Sequence, residues 1–268
     1  MKLTVSMAQM AVVNAKPEEN IKKAVGFIAE AKRRSSDMIC FPEMWTTGFN
    51  WAREKQIDQE QDKIIERVAS LAKQYSIWIN GSMLAVNEEG KAANTSILFD
   101  AEGAIKGIYR KTHLFTLLNE HKHMTAGDDL CVAKTPWGPV GFAVCYDIRF
   151  PELFRTYALK GVKIILSPMA FPYPRLNHWK VLVRARAIEN QFFMIGTNRV
   201  GCEDFGKDGI VTYFGDSSII DPWGETVVEA SEAKEDLITA SIDTDKVDEI
   251  RAKMTVLKDR RPDLYELG

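Results

Sequence analysis

Residues 37–41 read DMICF, a run too short for a helix and apolar on both faces, and Pro42 ends it by removing the backbone donor that a continuing sheet would need. A strand of this kind must be covered on both sides, so Glu43 stands at the carboxyl end of a buried strand. The flanking sequence has the periodicity to supply cover. Residues 17–34 carry Ile21, Ala24, Val25, Ile28 and Ala31 at helical spacing, and residues 59–74 place Ile64, Ile65, Val68, Leu71 and Ala72 on one face. Residues 3–9 and 77–83 are β-prone, which gives a strand–helix alternation from the first residues onward.

Between residues 81 and 110 the pattern shifts to short β-prone segments split by NEEG (87–90) and DAEG (100–103), both hairpin turn sequences, so the sheet becomes antiparallel there. Alternation returns with strands at 141–145 and 163–167 and helices at 151–159 and 177–191, Pro151 suiting a helix's first turn. Strands at 217–220 and 225–228 bracket the turn DPWG. Mixed sheets flanked by helices predict a layered α/β sandwich. No linker or fixed-period repeat divides the 268 residues, and a single domain over 1–268 is expected.

Charge narrows the partners. Lys and Arg total 35 against 37 Asp and Glu, a net charge of -2, which gives no general attraction to nucleic acid or an anionic membrane; a small molecule is the expected ligand. The N-terminal apolar run turns polar too early for a secretion signal, and no apolar run approaches the ~20 residues needed to cross a bilayer. Cys40, Cys131, Cys145 and Cys202 are widely spaced and contain no CxxC pair, so neither a disulfide framework nor a four-cysteine zinc site is expected. A cytoplasmic protein fits these features.

Three polar residues follow strand-like runs, where open α/β sheets gather ligand-binding groups: Glu43 after DMICFP, Lys111 after IKGIYR and Cys145 after GFAV. Each alone is more often a loop charge, a structural ion pair or a core thiol. Together they complete a nucleophilic mechanism. A carboxylate accepts the thiol proton, an ammonium favours the thiolate and stabilises an oxyanion, and the proton held by the carboxylate serves the departing nitrogen.

The blocks FPEMWTTGF, YRKTHLF and CYDIRFPELFR, in that order, resemble the signatures of the nitrilase superfamily of carbon–nitrogen hydrolases. The resemblance extends through SPMAFPYPRLNHW and RARAIENQFFMIGTNRVG to GDSSIIDPWGE. It implies a four-layer α-β-β-α sandwich and hydrolysis of a small amide by Glu43 as general base, Lys111 at the oxyanion and Cys145 as nucleophile. A homodimer or higher homo-oligomer is also implied, with the helices at 151–160 and 177–191 as the candidate interface. Glu120, in LLNEHKHMTAGD, stands where family members carry a second active-site glutamate and is assigned to positioning substrate and Lys111. The backbone N–H of Tyr146 is the expected second oxyanion donor. Arg149 and Glu152 are expected to fix the nucleophile's turn by ion pairing and helix capping.

His121, His123 and Cys131 are zinc-ligand types without a second spaced pair, so no metal is expected. The resemblance implies no cofactor, and phosphate-cradling glycine motifs are absent. Within the superfamily, NEHKHMTAGD, WTTGF and the PxPRLxHW stretch look most like bacterial omega-amidases, which deamidate 2-oxoglutaramate. That substrate carries a carboxylate away from the scissile amide, and Arg175 is the candidate guanidinium to clamp it. Another family amidase or N-carbamoyl amidohydrolase is the alternative enzyme, and an inactive family member serving as a binding module the alternative outside catalysis.

Overall fold

The computed structural model describes residues 1–49 and 61–265. In chain order, β1 (Lys2–Gln9), α1 (Pro17–Arg33), β2 (Met38–Cys40), α2 (Gln61–Tyr75) and β3 (Trp78–Val86) lead to the returning strands β4 (Ala92–Phe99) and β5 (Ile105–Arg110). After the short α3 (Glu120–His123) come β6 (Val132–Thr135), β7 (Gly138–Phe142), α4 (Pro151–Leu159), β8 (Ile164–Met169), α5 (Leu176–Asn190) and β9 (Phe193–Asn198). The strands β10 (Val200–Asp204) and β11 (Ile210–Phe214) form a separate ribbon. The chain closes with β12 (Ser218–Ile220), β13 (Thr226–Glu229), β14 (Asp236–Asp243) and α6 (Asp245–Lys253). The expected start of α2 at residues 59 and 60 lies outside the described residues.

Two six-stranded mixed sheets result, ordered β14-β1-β2-β3-β4-β5 and β6-β7-β8-β9-β12-β13. Read in these directions, both follow one succession of pairings: antiparallel, parallel, parallel, antiparallel, antiparallel. The side-chain alternation of the strands builds the layers. Leu3, Val5 and Met7 of β1 and Met38 and Cys40 of β2 meet Ile164 and Leu166 of β8 and Phe193 and Ile195 of β9 between the sheets. Ile39 and Phe41 point outward against Ile21, Ala24 and Ile28 of α1 and Val68 and Leu71 of α2. Ile165 and Met194 point outward on the other side, against Phe154 and Tyr157 of α4 and Trp179 and Val183 of α5. These three apolar interfaces make an α-β-β-α sandwich of the expected class.

The predicted turns are fixed by one device. Asn87, Asp100 and Asp221 each accept two backbone N–H groups into a side-chain oxygen, closing the turns before β4, β5 and β13. Leu166, fully buried between the sheets, tests the central layer. Leu166→Ala should cost about 2–5 kcal/mol, read as a lower midpoint in chemical denaturation with an unchanged native spectrum.

Candidate active site

Four ionisable side chains converge where the carboxyl ends of β2, β5, β7 and β8 meet. Glu43 follows β2 across Phe41 and Pro42, Lys111 follows β5 directly, Glu120 opens α3, and Cys145 follows β7. Glu43, Lys111 and Glu120 are all but removed from solvent, while Cys145 is partly exposed to the cleft. Lys111 Nζ donates to Glu43 Oε1 at 2.8 Å and to Glu120 Oε2 at 2.8 Å and Oε1 at 3.1 Å. Glu120 also accepts the Phe115 backbone N–H at 2.6 Å. Two buried carboxylates therefore share one ammonium, a net charge of minus one that leaves little tolerance for another anion.

The electrostatics follow from that count. Burial pushes the Glu43 carboxyl above its ordinary range; Lys111 opposes this, while Glu120 adds to it. Burial also works against the charge on Lys111, but Glu120 and Glu43 more than offset it and hold the ammonium well above the usual lysine range. For Cys145, burial and then the charge of Glu43 push the thiol well up, against smaller opposing effects of Lys111 and the Ala170 N–H. The resting cysteine is thus a neutral thiol that needs a base. Among the described residues Glu43 Oε2 receives no N–H or O–H donor, and the Cys145 thiol also faces Glu43 as a donor.

The local backbone at Cys145 departs from the expected strand at 141–145. β7 ends at Phe142, and Cys145 instead opens a short 3-10 turn, Cys145–Arg149, with φ +44°. That is a strained conformation for a residue with a Cβ, and it turns the side chain out of the sheet into the cleft. The N–H of Tyr146 lies in the first turn of this segment, where backbone donors have no partner within the helix.

The expectation that Arg149 and Glu152 fix this turn is corrected. Among the described residues neither makes an ion pair, and Glu152 is exposed in the first turn of α4. The buried Asp147 does the fixing. Its Oδ2 accepts the Val144 N–H at 2.7 Å and the Tyr109 hydroxyl at 2.8 Å. Its Oδ1 accepts the His113 N–H at 3.1 Å, His113 Nδ1 at 2.8 Å and the Thr112 hydroxyl at 3.2 Å. Since a carboxylate only accepts, His113 carries its proton on Nδ1. One side chain thereby ties the turn bearing Cys145 to the segment just after Lys111.

A narrow cleft opens in front of Cys145. Tyr146, Arg149 and Arg175 line it with Phe49, Phe115 and Phe171. Arg175, expected in the loop after β8, caps α5; its guanidinium lies 5.7 Å from the centroid of the Phe115 ring and pairs with no carboxylate among the described residues. Arg149 lies over Phe171 at 5.4 Å and contributes a second guanidinium to the lining. Phe49 is held by its backbone N–H, which donates to the buried Glu203 at 2.7 Å, and Glu203 is in turn paired with the buried Arg199 at 2.7 Å.

Sequence reasoning singled out neither Asp147, Glu203 nor Asn94, whose amide donates to Glu43. Asp147 sits inside the CYDIRFPELFR block, the one signal that could have drawn notice to it. His121 is exposed and Cys131 half-buried, and among the described residues no group of three His, Cys, Asp or Glu side chains is placed to hold a metal ion.

Comparison with known proteins adds to this geometry. The sequence pattern of the family described as carbon–nitrogen hydrolase matches residues 4–252. The 2-oxoglutaramate amidase of Bacillus subtilis (strain 168) is 36% identical over 266 residues, covering 99% of this chain and 100% of the relative. The omega-amidase NIT2 of Xenopus tropicalis is 31% identical over 280 residues, covering 99% of this chain and 98% of its own. Among solved structures, a carbon–nitrogen hydrolase from Helicobacter pylori G27 superposes with a TM-score of 0.91 at 27% identity, covering 98% and 97% of the two chains.

Proposed function

The chain belongs to the carbon–nitrogen hydrolase family, and from that premise we propose that it is an omega-amidase that splits 2-oxoglutaramate into 2-oxoglutarate and ammonia. The observation that carries the substrate is Arg175, a cation on the wall of the cleft that Cys145 faces, without a carboxylate partner among the described residues. A mono-amide of a dicarboxylic acid brings the missing anion at the end away from its amide. The 36% identical relative named for this activity supports the same reading.

In this reading Glu43 takes the thiol proton as Sγ attacks the amide carbon. The oxyanion that forms is met by Lys111 and the Tyr146 N–H. The proton on Glu43 passes to the nitrogen, the C–N bond breaks, and ammonia leaves a thioester on Cys145. Water then attacks the thioester, giving its proton to Glu43. Collapse releases the acid, and the sulfur recovers the proton. Glu120 keeps Lys111 charged and in place throughout. No step calls for a metal or cofactor.

The whole chain is read as one domain that pairs with a second copy through α4 and α5. The exposed Leu159, Val181 and Ile188 on those helices support that surface. A cytoplasmic setting without nucleic acid or membrane partners completes the reading; no helix among the described residues is long and apolar enough to cross a membrane.

Ammonia release from 2-oxoglutaramate, glutaramate, succinamate, an N-carbamoyl amino acid and a nitrile tests the substrate class. Arg175→Ala should lose roughly 2–5 kcal/mol in kcat/KM on 2-oxoglutaramate and far less on a neutral amide of similar length. An equal loss on both would make Arg175 structural, and no loss on either would move the carboxylate clamp elsewhere. Silence across the panel would leave the chain a binding module.

A further inference from the structure

The buried carboxylates of the site have a second connection that the Glu–Lys–Cys chemistry does not use. Asn94, fully buried on β4, donates from one amide nitrogen to Glu43 Oε1 at 2.7 Å and to Glu120 Oε1 at 3.2 Å. Its carbonyl oxygen accepts the Ser82 hydroxyl at 2.8 Å, and Ser82 Oγ accepts the Met44 N–H at 3.0 Å. The Asn94 carbonyl oxygen has no hydrogen to give, so the Ser82 hydroxyl donates to it. The amide orientation follows: its oxygen faces a donor and its NH2 faces two acids, and a flipped amide would set an oxygen against both carboxylates. The Asn94 backbone carbonyl also accepts the Lys111 N–H at 2.8 Å.

This arrangement places one residue against all three members of the buried ion cluster. Lys111 supplies charge to both acids but is a compact ammonium on a flexible stem. The amide is flat, is oriented by Ser82, and bridges the acids without adding charge. We propose that Asn94 is a positioning residue, set by Ser82, that holds Glu43 and Glu120 apart at a fixed separation and keeps Glu43 ionised as an acceptor for the Cys145 proton. The inference rests on Glu43 being the base.

Hydrogen bonding to a carboxylate favours its charged form. Without the Asn94 donor, the burial that already pushes the Glu43 carboxyl up would act with less opposition. The other groups that face Glu43 are Lys111 after β5, Glu120 on α3, Cys145 after β7 and Tyr213 on β11. None of them is removed by changing Asn94, so a shift in the pH profile of that variant reports on the lost amide.

The readout is the pH dependence of Cys145 alkylation by iodoacetamide, followed by peptide mass spectrometry, beside ammonia release from 2-oxoglutaramate. In Asn94→Ala the acid limb of both profiles should move up by about one to two pH units, and kcat at neutral pH should fall about 10- to 100-fold with less change in KM. Asn94→Asp keeps the shape but adds a third carboxylate, and it should lose the most. Ser82→Ala frees the amide to turn and should move the limb in the same direction by less; it decides the matter if Asn94→Ala does not fold. An acid limb at its wild-type position in a folded Asn94→Ala or Ser82→Ala protein, or wild-type activity in Asn94→Asp, overturns the inference. Glu43→Gln runs alongside: if it retains the wild-type limb and rate, the reading of Glu43 as base fails. If it loses both while Asn94→Ala shifts nothing, only the role of Asn94 falls.

Discussion

Cys145→Ala should release no ammonia from any amide while folding and binding substrate as the wild type does. Alanine tolerates the +44° φ of this position as well as cysteine does, so the turn is not strained further. The side chain stands at the edge of the cleft, and its loss leaves no large cavity in the core. What disappears is the thiol that faces Glu43, and with it the thioester that splits the proposed reaction into two steps. Cys145→Ser should fail as well, since the hydroxyl is a far weaker nucleophile in the same position. Mass spectrometry of the wild type quenched during turnover should find the acyl group on Cys145 and not on the buried Cys40, the half-buried Cys131 or the exposed Cys202. A Cys145→Ala protein that still turns over would end the mechanism outright.

Glu43→Gln should lower the acylation rate by at least ~100-fold, the usual scale for removing a general base. The glutamine oxygen still accepts from Lys111 and Asn94, so substrate affinity should change much less than rate. The stability change has a predictable sign. Burial raises the Glu43 carboxyl above its ordinary range, so the folded protein binds that proton more tightly than the unfolded chain. Stability from this group is then present below the unfolded value and is lost as pH rises through the folded one; at neutral pH the ionised form is a cost. Glutamine removes that cost. The variant should therefore melt no lower than the wild type at neutral pH, and its advantage should shrink on acidification. A variant that is both inactive and less stable at neutral pH would mean that the Lys111–Glu43 attraction outweighs the desolvation of Glu43.

Local pattern made the frame of the fold legible because its central strands are short and apolar on both faces, and its helices are amphipathic. The DMICFP run, the spacing in 17–34 and the three Asx-type turns each depend only on residues close in sequence. The pairing of β14 with β1 does not: Lys2 meets Asp243 and Gln9 meets Asp236 across almost the whole chain, and no short window encodes that meeting. The same distinction holds in the site. Glu43, Lys111 and Cys145 stand out because each is a reactive group at the end of a strand within a recognisable block. Asn94 sits inside an ordinary β-strand sequence, and its role comes from facing Ser82, Glu43 and Glu120, none of them a sequence neighbour. Asp147 escaped for a related reason, since four of its five donors come from residues 109–113, more than thirty positions away in sequence. Cys145 was expected to end a strand; the apolar run GFAV continues the strand pattern past Phe142, and only the demands of the turn break it.

The repeated succession of strand pairings in the two sheets carries a consequence for how this protein can be inactivated. Asn94 lies in the first sheet and Glu43 and Lys111 follow its strands, while Cys145, Arg149 and Arg175 follow strands of the second, so the two groups meet across a seam between two similarly wound halves. Neither half carries both the sulfur and the carboxylate proposed as its base. Catalysis is then a gauge of how the halves are registered: a slip along the apolar layer of Val5, Met38, Leu166 and Ile195 would separate nucleophile from base with every strand and helix still formed.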